Sequence, residues 1–466
     1  VVTRSKRRRL DDESPGQQLP PGGGGVDDLI SRLPDDLLGD VITRLPTADG
    51  ARTQILSRRW RPLWRSTPLN LDATFDTAAD EARAVAAVRA HTGPARRLHL
   101  AWRRHVHSTL PMVDDLLLRC PGGARLQELE MYYAPTLSSK APPSSFPLPR
   151  TLRVLVMYCS HDKPWKVEIV GASPSAYDFP HLRQLTLRHV RISESHLHRI
   201  LSRCPVLESM MLHRNVGYRR LHIRSLPQLR SLAVAEDAPS YEEVKLEQVI
   251  IEDAPLLERL IPARHQARGL QIQVIHAPKL RVLGYLSDES ISKFEIAGTV
   301  VFEVRTPSVA LHTVKILALQ IAPNALDVVI DFLKCFPRVE KLYMVEFTPK
   351  ELKNVQTKNA HRRNARIECL DVHLKTVELK GYHGRKSEVS LIRFFVSKAR
   401  VLESFKFIAS RRACDAKWTA KQRKKLLLSI RASQGARFHF EPDGWPSTCV
   451  PMKHVHDLAL DDPFDV

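Results

Sequence analysis

The chain is 466 residues long, enough for one to three domains, and 43% of it is hydrophobic although only 6% is aromatic. Its formal charge is +20 at pH 7, and its longest apolar runs, around Leu116–Leu118 and Phe394–Val396, are far too short to cross a bilayer. Cys120, Cys159, Cys204, Cys335, Cys369, Cys414 and Cys449 form no CxxC pair, which argues against a disulfide framework or structural zinc; no metal or cofactor is expected, and a soluble intracellular chain is.

In chain order, residues 1–27 have no apolar periodicity and end in Pro20-Pro21 and Gly22–Gly25, a composition expected to stay disordered. The basic cluster Lys6, Arg7, Arg8 and Arg9 is a nuclear-import candidate or a solvated charge run, and no secretory apolar region follows it. Nucleus, cytoplasm or both is the expected location.

Residues 28–70 read as three short helices. Leu33, Leu37, Leu38, Val41, Ile42 and Leu45 recur at helical spacing, with Pro34 in the first turn and Asp35 and Asp36 behind it. Pro46 stops this helix; Thr47 is placed to cap a second carrying Ile55 and Leu56, and Ser57 a third carrying Trp60, Leu63 and Trp64. So small a module cannot hide that many large apolar groups, so a protein partner is expected on it.

Across residues 95–350 a unit repeats. Pro180-His-Leu182-Arg-Gln-Leu185 returns from Pro205, Pro227, Pro255 and Pro278, at spacings of 25, 22, 28 and 23 residues, and more loosely from Leu152 and Pro337. That is the period of leucine-rich repeats. Amphipathic helices are expected before several prolines, at Val113–Cys120, Leu197–Cys204 and Ala325–Phe336. The fold expected is α/β: a solenoid whose strands line its inner face, the repeat leucines being scaffold. Recognition residues belong among the polar positions between them, and the sequence names none.

The helical module resembles the F-box. Leu33-Pro34-Asp35-Asp36-Leu37-Leu38, then Leu45-Pro46, then Arg59-Trp60-Arg61-Pro62-Leu63-Trp64 match that family's three sub-motifs in order. The resemblance implies docking on a Skp-type adaptor, and through it on cullin and RING subunits, by Leu33, Pro34, Leu37, Leu45, Pro46, Trp60, Leu63 and Trp64. Gly50 and Pro62 depart from the family pattern. Residues 360–440 are similar to the FBD domain of plant F-box proteins, best around Lys375–Gly381, and 441–466 is left as a C-terminal tail. Together the resemblances point to a plant F-box/LRR/FBD protein.

No serine elbow, paired carboxylates or Cys/His constellation appears, so no active site is expected. Gly381-Tyr-His-Gly384-Arg385-Lys386-Ser387 lacks phosphate-loop spacing and reads as a strand-to-helix turn with Ser387 as cap. His105/His107, His196/His198 and His454/His456 lack a third ligand nearby. The function expected is substrate recognition within an SCF-type (Skp–cullin–F-box) ubiquitin ligase. Two alternatives stay open. Between Lys350 and Phe440, 23 Lys or Arg stand against 7 Asp or Glu, a net +16, which would suit nucleic acid or another polyanion; and an F-box chain could serve as a non-degradative scaffold.

Overall fold

Each clean Pro-x-Leu step closes a tight turn, with proline in the position that its fixed φ suits. Leu207 N donates to Cys204 O at 3.2 Å, Leu229 N to Leu226 O at 3.1 Å, and Leu257 N to Ala254 O at 3.0 Å. After each turn the alternating run becomes a strand, and the strands stack in parallel. In this computed structural model the described residues are 29–30, 32–103, 126–134, 145–146, 148–160, 164–166, 168–169, 178–236, 244–264, 269–287, 291–303, 306–307, 309–323, 325–346, 366–409, 414–443 and 454–465.

Among them, fourteen strands form one sheet, from Leu69–Phe75 to Arg437–Pro442. Its neighbours pair in parallel, and one inward row runs Leu155, Leu185, Met210, Leu232, Leu260, Leu283, Leu317, Leu342, Val377, Phe405, Phe438. That row is buried throughout, as side chains of period two must be when one face is covered.

What covers that face changes along the sheet. Helices Glu194–Leu201 and Leu326–Cys335 do so at two expected places, while Val113–Cys120 lies outside the described residues. Between them a second sheet takes over. Arg220–Ile223, Gln248–Asp253, Leu270–His276 and Ile291–Ile296 pair in parallel, then turn into the antiparallel Thr299–Glu303. The main core lies between the two sheets, joining Leu232 and Leu260 to Val249 and Ile251.

The sheet has no break at the borders expected near 95 and 350. Leu69–Phe75 is already its first strand, pairing with Ala95–Trp102, and the FBD-like region adds its last three, Thr376–Tyr382, Ser404–Ala409 and Arg437–Pro442. These regions supply units to the same ladder. Helix Lys386–Lys398 has Arg385 at its N-cap, so Ser387 lies inside it and is not the cap. Glu388 Oε2 instead accepts from Arg385 N at 2.9 Å and His383 N at 3.0 Å. The turn before it uses Gly381 and Gly384 at φ of 87° and 77°, where a side chain is disfavoured.

At the other end sit three helices, α1 (Asp35–Arg44), α2 (Thr47–Arg52) and α3 (Trp60–Ser66). Because α3 starts at Trp60, Pro62 falls in its first turn, where no N–H is needed, and it does not break the helix. Thr47 opens α2 without capping it, its hydroxyl donating to Asn70 O, and Ser57 is not the cap of α3, whose preceding residue is Arg59.

Candidate docking surfaces

The three-helix module divides its apolar residues between two jobs. Leu38, Ile42 and Trp60 form its core, with Leu33, Leu63 and Trp64 packed against them. Gly50 lets α2 close on α3, since a Cβ there would stand 2.7 Å from Trp64 Cζ3. The interior is thus satisfied, yet Leu29, Ile30, Leu37, Val41, Ile55 and Leu56 remain exposed. Leu37 and Val41 are one turn apart on one face of α1. Arg59 ties the N-terminal approach to α3 by donating to Asp35 Oδ1 at 2.7 Å and to the Leu33 carbonyl.

This module is welded to the sheet. Thr47 Oγ1 donates to Asn70 O, Asn70 Nδ2 donates to Thr43 O, and Asp72 N donates to Thr47 Oγ1 at 3.1 Å. Below α3, Gly93 N donates to Arg65 O at 2.8 Å, and the His91 ring lies 2.9 Å from Trp64 O and edge-on to the Trp64 indole. These bonds fix the module's direction relative to the first strands of the ladder.

The second surface is the open face of the long sheet. Near the helical module it carries His99 and Asp72 at 2.7 Å, Arg97 and Glu130 at 3.1 Å, and an aromatic pair, Tyr132 and Tyr158, with Arg188 stacked over Tyr158 at 4.6 Å. At the far end it carries Glu378, Lys406 and Glu441, Lys406 lying 3.1 Å from Glu441. Burial pushes the Glu378 carboxyl up to about 7. The middle of this face is apolar and covered by residues 454–465.

A carboxyl pair lies beside the FBD-like helix. Glu346 Oε1 accepts from Arg385 at 2.7 Å, while Glu346 Oε2 and Glu388 Oε1 are buried without another hydrogen-bond partner. Burial, and then the neighbouring Glu388, push Glu346 up to about 8; a proton held on Glu346 accounts for the arrangement. With His383 these carboxyls are also, among the described residues, the group whose ligand atoms lie within 4.8 Å of one another, but Arg385 already supplies positive charge there. Between its ordinary value of 4.5 and about 8, the fold holds a proton that the unfolded chain has released, so this group lowers stability as pH rises. Glu346→Gln is expected to flatten the fall in unfolding free energy between about pH 5 and 8, a slope of at most about 1.4 kcal/mol per pH unit from one proton. Equal slopes in chemical denaturation of the two proteins would refute this.

Comparison with known proteins agrees with the order of these parts. Residues 30–72 match the family model of the F-box domain, 115–344 that of "FBD-associated F-box protein At5g56370, LRR repeats", and 365–407 that of FBD. FBD-associated F-box protein At3g50710 of Arabidopsis thaliana is 24% identical over 455 residues, covering 88% of this chain and 99% of that protein. F-box/FBD/LRR-repeat protein At5g56810 of the same plant is 25% identical over 406 residues, 81% of this chain and 88% of its own. For F-box/FBD/LRR-repeat protein At5g22610, also of Arabidopsis thaliana, the figures are 28% over 282 residues, 58% of this chain and about half (51%) of that protein. The chain is a plant F-box/LRR/FBD protein.

In this F-box/LRR/FBD protein the eight adaptor-docking candidates part company. Pro34, Leu37 and Pro46 are exposed and Leu45 half-buried, whereas Leu33, Leu63 and Trp64 turn partly inward. Trp60 is buried outright, a correction to its reading as a docking group: the module needs one large side chain at its centre, and Trp60 fills that place. Sequence reasoning left out Leu29, Ile30, Val41, Ile55 and Leu56, although Val41, Ile55 and Leu56 carried the same helical signal. Lys6, Arg7, Arg8 and Arg9 lie outside the described residues, as do His105 and His107. His198 Nε2 accepts from His222 N at 3.0 Å, and His456 is held by Thr186 and Ser209, so neither offers an open metal position. Among the described residues, no helix is long and apolar enough to cross a membrane.

The basic segment is partly committed to the fold. Arg393 donates twice to Lys425 O, Arg423 donates to Phe438 O and lies over the Phe440 ring, and Arg431 donates to Gln434 O. Arg423, Lys424 and Lys425 stand in the last turn of helix Ala416–Lys425, where cations suit the helix dipole.

Proposed function

We propose that this protein is the substrate-recognition subunit of an SCF-type ubiquitin ligase, without catalysis of its own. The F-box would dock a Skp-type adaptor, and through it cullin and RING subunits, by the exposed Leu37, Val41, Ile55 and Leu56 with Pro34 and Pro46. The repeat sheet would hold the target protein. The observation that carries this reading is the weld between F-box and sheet. A receptor acts by raising effective concentration, which needs the target held at a fixed place relative to the ubiquitin donor. Two surfaces joined by a rigid junction supply that; a scaffold would not require it. Nucleus, cytoplasm or both is the proposed location.

The test is proximity labelling under proteasome inhibition with the native chain and with Leu37→Glu/Ile55→Glu. Proteins labelled by both chains, whose ubiquitination is seen with the native chain alone, are the expected outcome. Labelled partners whose ubiquitination and half-life are the same with both chains would point to the non-degradative scaffold and overturn the receptor reading.

A further inference from the structure

An open sheet face is ordinarily polar, because it meets water. Here its middle is not. Ala233, Ala235, Ile261, Ala263, Val282, Ile316 and Ala318 are buried there, forming a second apolar cluster apart from the main core. The four alanines leave the floor shallow beside Ile261, Val282 and Ile316, and Gly284 leaves a hole in it: a Cβ at Gly284 would stand 2.7 Å from Phe464 Cζ. The ring of Phe464 fills that hole between Tyr285 and Tyr343, its centroid 5.2 and 5.4 Å from theirs. Val455 joins the same cluster.

Residues 454–465 run across seven consecutive strands, from Gln184–Arg188 to Lys341–Glu346. They contribute no strand and no helix. At one end the His456 ring meets Thr186 Oγ1 at 2.7 Å and Ser209 Oγ at 2.8 Å. Burial pushes His456 down to about 4, so the ring enters neutral, with one nitrogen to donate and one to accept. In the middle Arg259 donates to the carbonyls of Asp457, at 2.9 Å, and Leu460, contacts that read backbone rather than side chain. Arg281 reaches Asp461 at 3.1 Å; Lys341 reaches Asp462 at 2.8 Å, and Tyr343 donates to the same carboxylate at 2.8 Å. Asp457, Asp461, Asp462 and Asp465 give this stretch four carboxylates in a chain of net charge +20.

We propose that this strip of the open face is the protein's peptide-docking groove, that its target is an acidic segment bearing an aromatic residue in the manner of Asp461-Asp462-Pro463-Phe464, and that the C-terminal segment is its resident occupant, displaced when the target binds. The partner's identity as a degradation target rests on the receptor reading above; the groove does not. Three features favour exchange over a permanent seal. The groove is built on a ladder that is complete without the segment. Its contacts are a ring in a hole, an imidazole on two hydroxyls, one buried and one exposed charge pair and two backbone carbonyls, which another chain can reproduce. The occupant is tethered, so it competes at the millimolar effective concentration typical of short linkers and sets a threshold that only a matching target passes.

The probe is a fluorescein-labelled synthetic peptide of residues 454–465, titrated into the full-length chain. Native protein should bind it weakly, and Asp462→Ala/Phe464→Ala, which weakens the resident copy, should bind it at least about tenfold more tightly. Lys341→Glu in that background should lose the gain. Unchanged peptide affinity in a folded Asp462→Ala/Phe464→Ala protein would overturn the proposal. So would a collapse of cooperative unfolding in that variant, which would make the segment a fixed part of the core. Adaptor recovery, measured on the same proteins, reports on the receptor reading alone: its loss with peptide exchange intact would sink that reading and leave the groove standing.

Discussion

Leu37→Glu/Ile55→Glu is expected to abolish co-purification with a Skp-type adaptor while leaving the chain folded. The two positions are chosen because they are 49% and 84% exposed, so the free protein loses little when they change. In a complex each would be taken out of water, and fully burying one such side chain is worth about 1.5–3 kcal/mol. Losing both, and placing two carboxylates against an apolar partner, should weaken binding by at least about a hundredfold. The unfolding midpoint should move by less than about 2 °C, because exposed substitutions of this kind stay within about 0.5 kcal/mol. Trp60→Ala is the informative contrast. Trp60 is buried beside Leu38 and Ile42, so removing it should destabilise the module by about 3–5 kcal/mol and reduce adaptor recovery through unfolding. Full adaptor recovery by the double glutamate variant would refute the docking surface.

That contrast shows what the sequence could carry. Leu-Pro and Trp-x-x-Leu-Trp located the F-box, since their spacing is set by packing between helices, but spacing alone does not tell the inward face from the outward one. Leu38 and Leu37 are neighbours in sequence and opposite in burial. The repeat was legible because Pro-x-Leu-x-x-Leu encodes a turn and a strand together. The second sheet was missed: Val249 and Ile251, then Ile272 and Val274, alternate as strands do, but each run is short and lacks the turn signature of the main strands. The C-terminal segment lay furthest from reach. His456 meets Thr186 across 270 positions, and no local pattern in 454–465 announces a docked segment. The one signal in the sequence is compositional: Ala233, Ala235, Ala263 and Ala318 stand where an uncovered face would place polar side chains.

Phe407→Ala should be the most destabilising single change in the FBD region. Phe407 is fully buried, stacked on Phe405 at 4.4 Å and on Phe440 at 4.5 Å, with Tyr382 at 5.2 Å. Deleting the ring removes its transfer energy and leaves a cavity, together about 3–5 kcal/mol. Its place in the ladder decides how that loss is felt. Arg437–Pro442 ends the sheet and helix Ala416–Lys425 covers it, with Trp418 against Tyr382 and Phe440. A solenoid needs such an end, because an inner unit exposes its apolar side when nothing stacks on it. Aromatic rings pack densely at this end, as Phe75, Trp102, Tyr133 and Trp165 do near the opposite one, which suits units with a neighbour on one side only. Amide exchange should therefore accelerate across 376–442 in the variant while 182–286 keeps its protection, and thermal unfolding should become biphasic. Adaptor binding, at the opposite end of the sheet, should be unaffected. Uniform acceleration of exchange along the whole ladder would mean the FBD region is an integral part of one cooperative unit and not its cap.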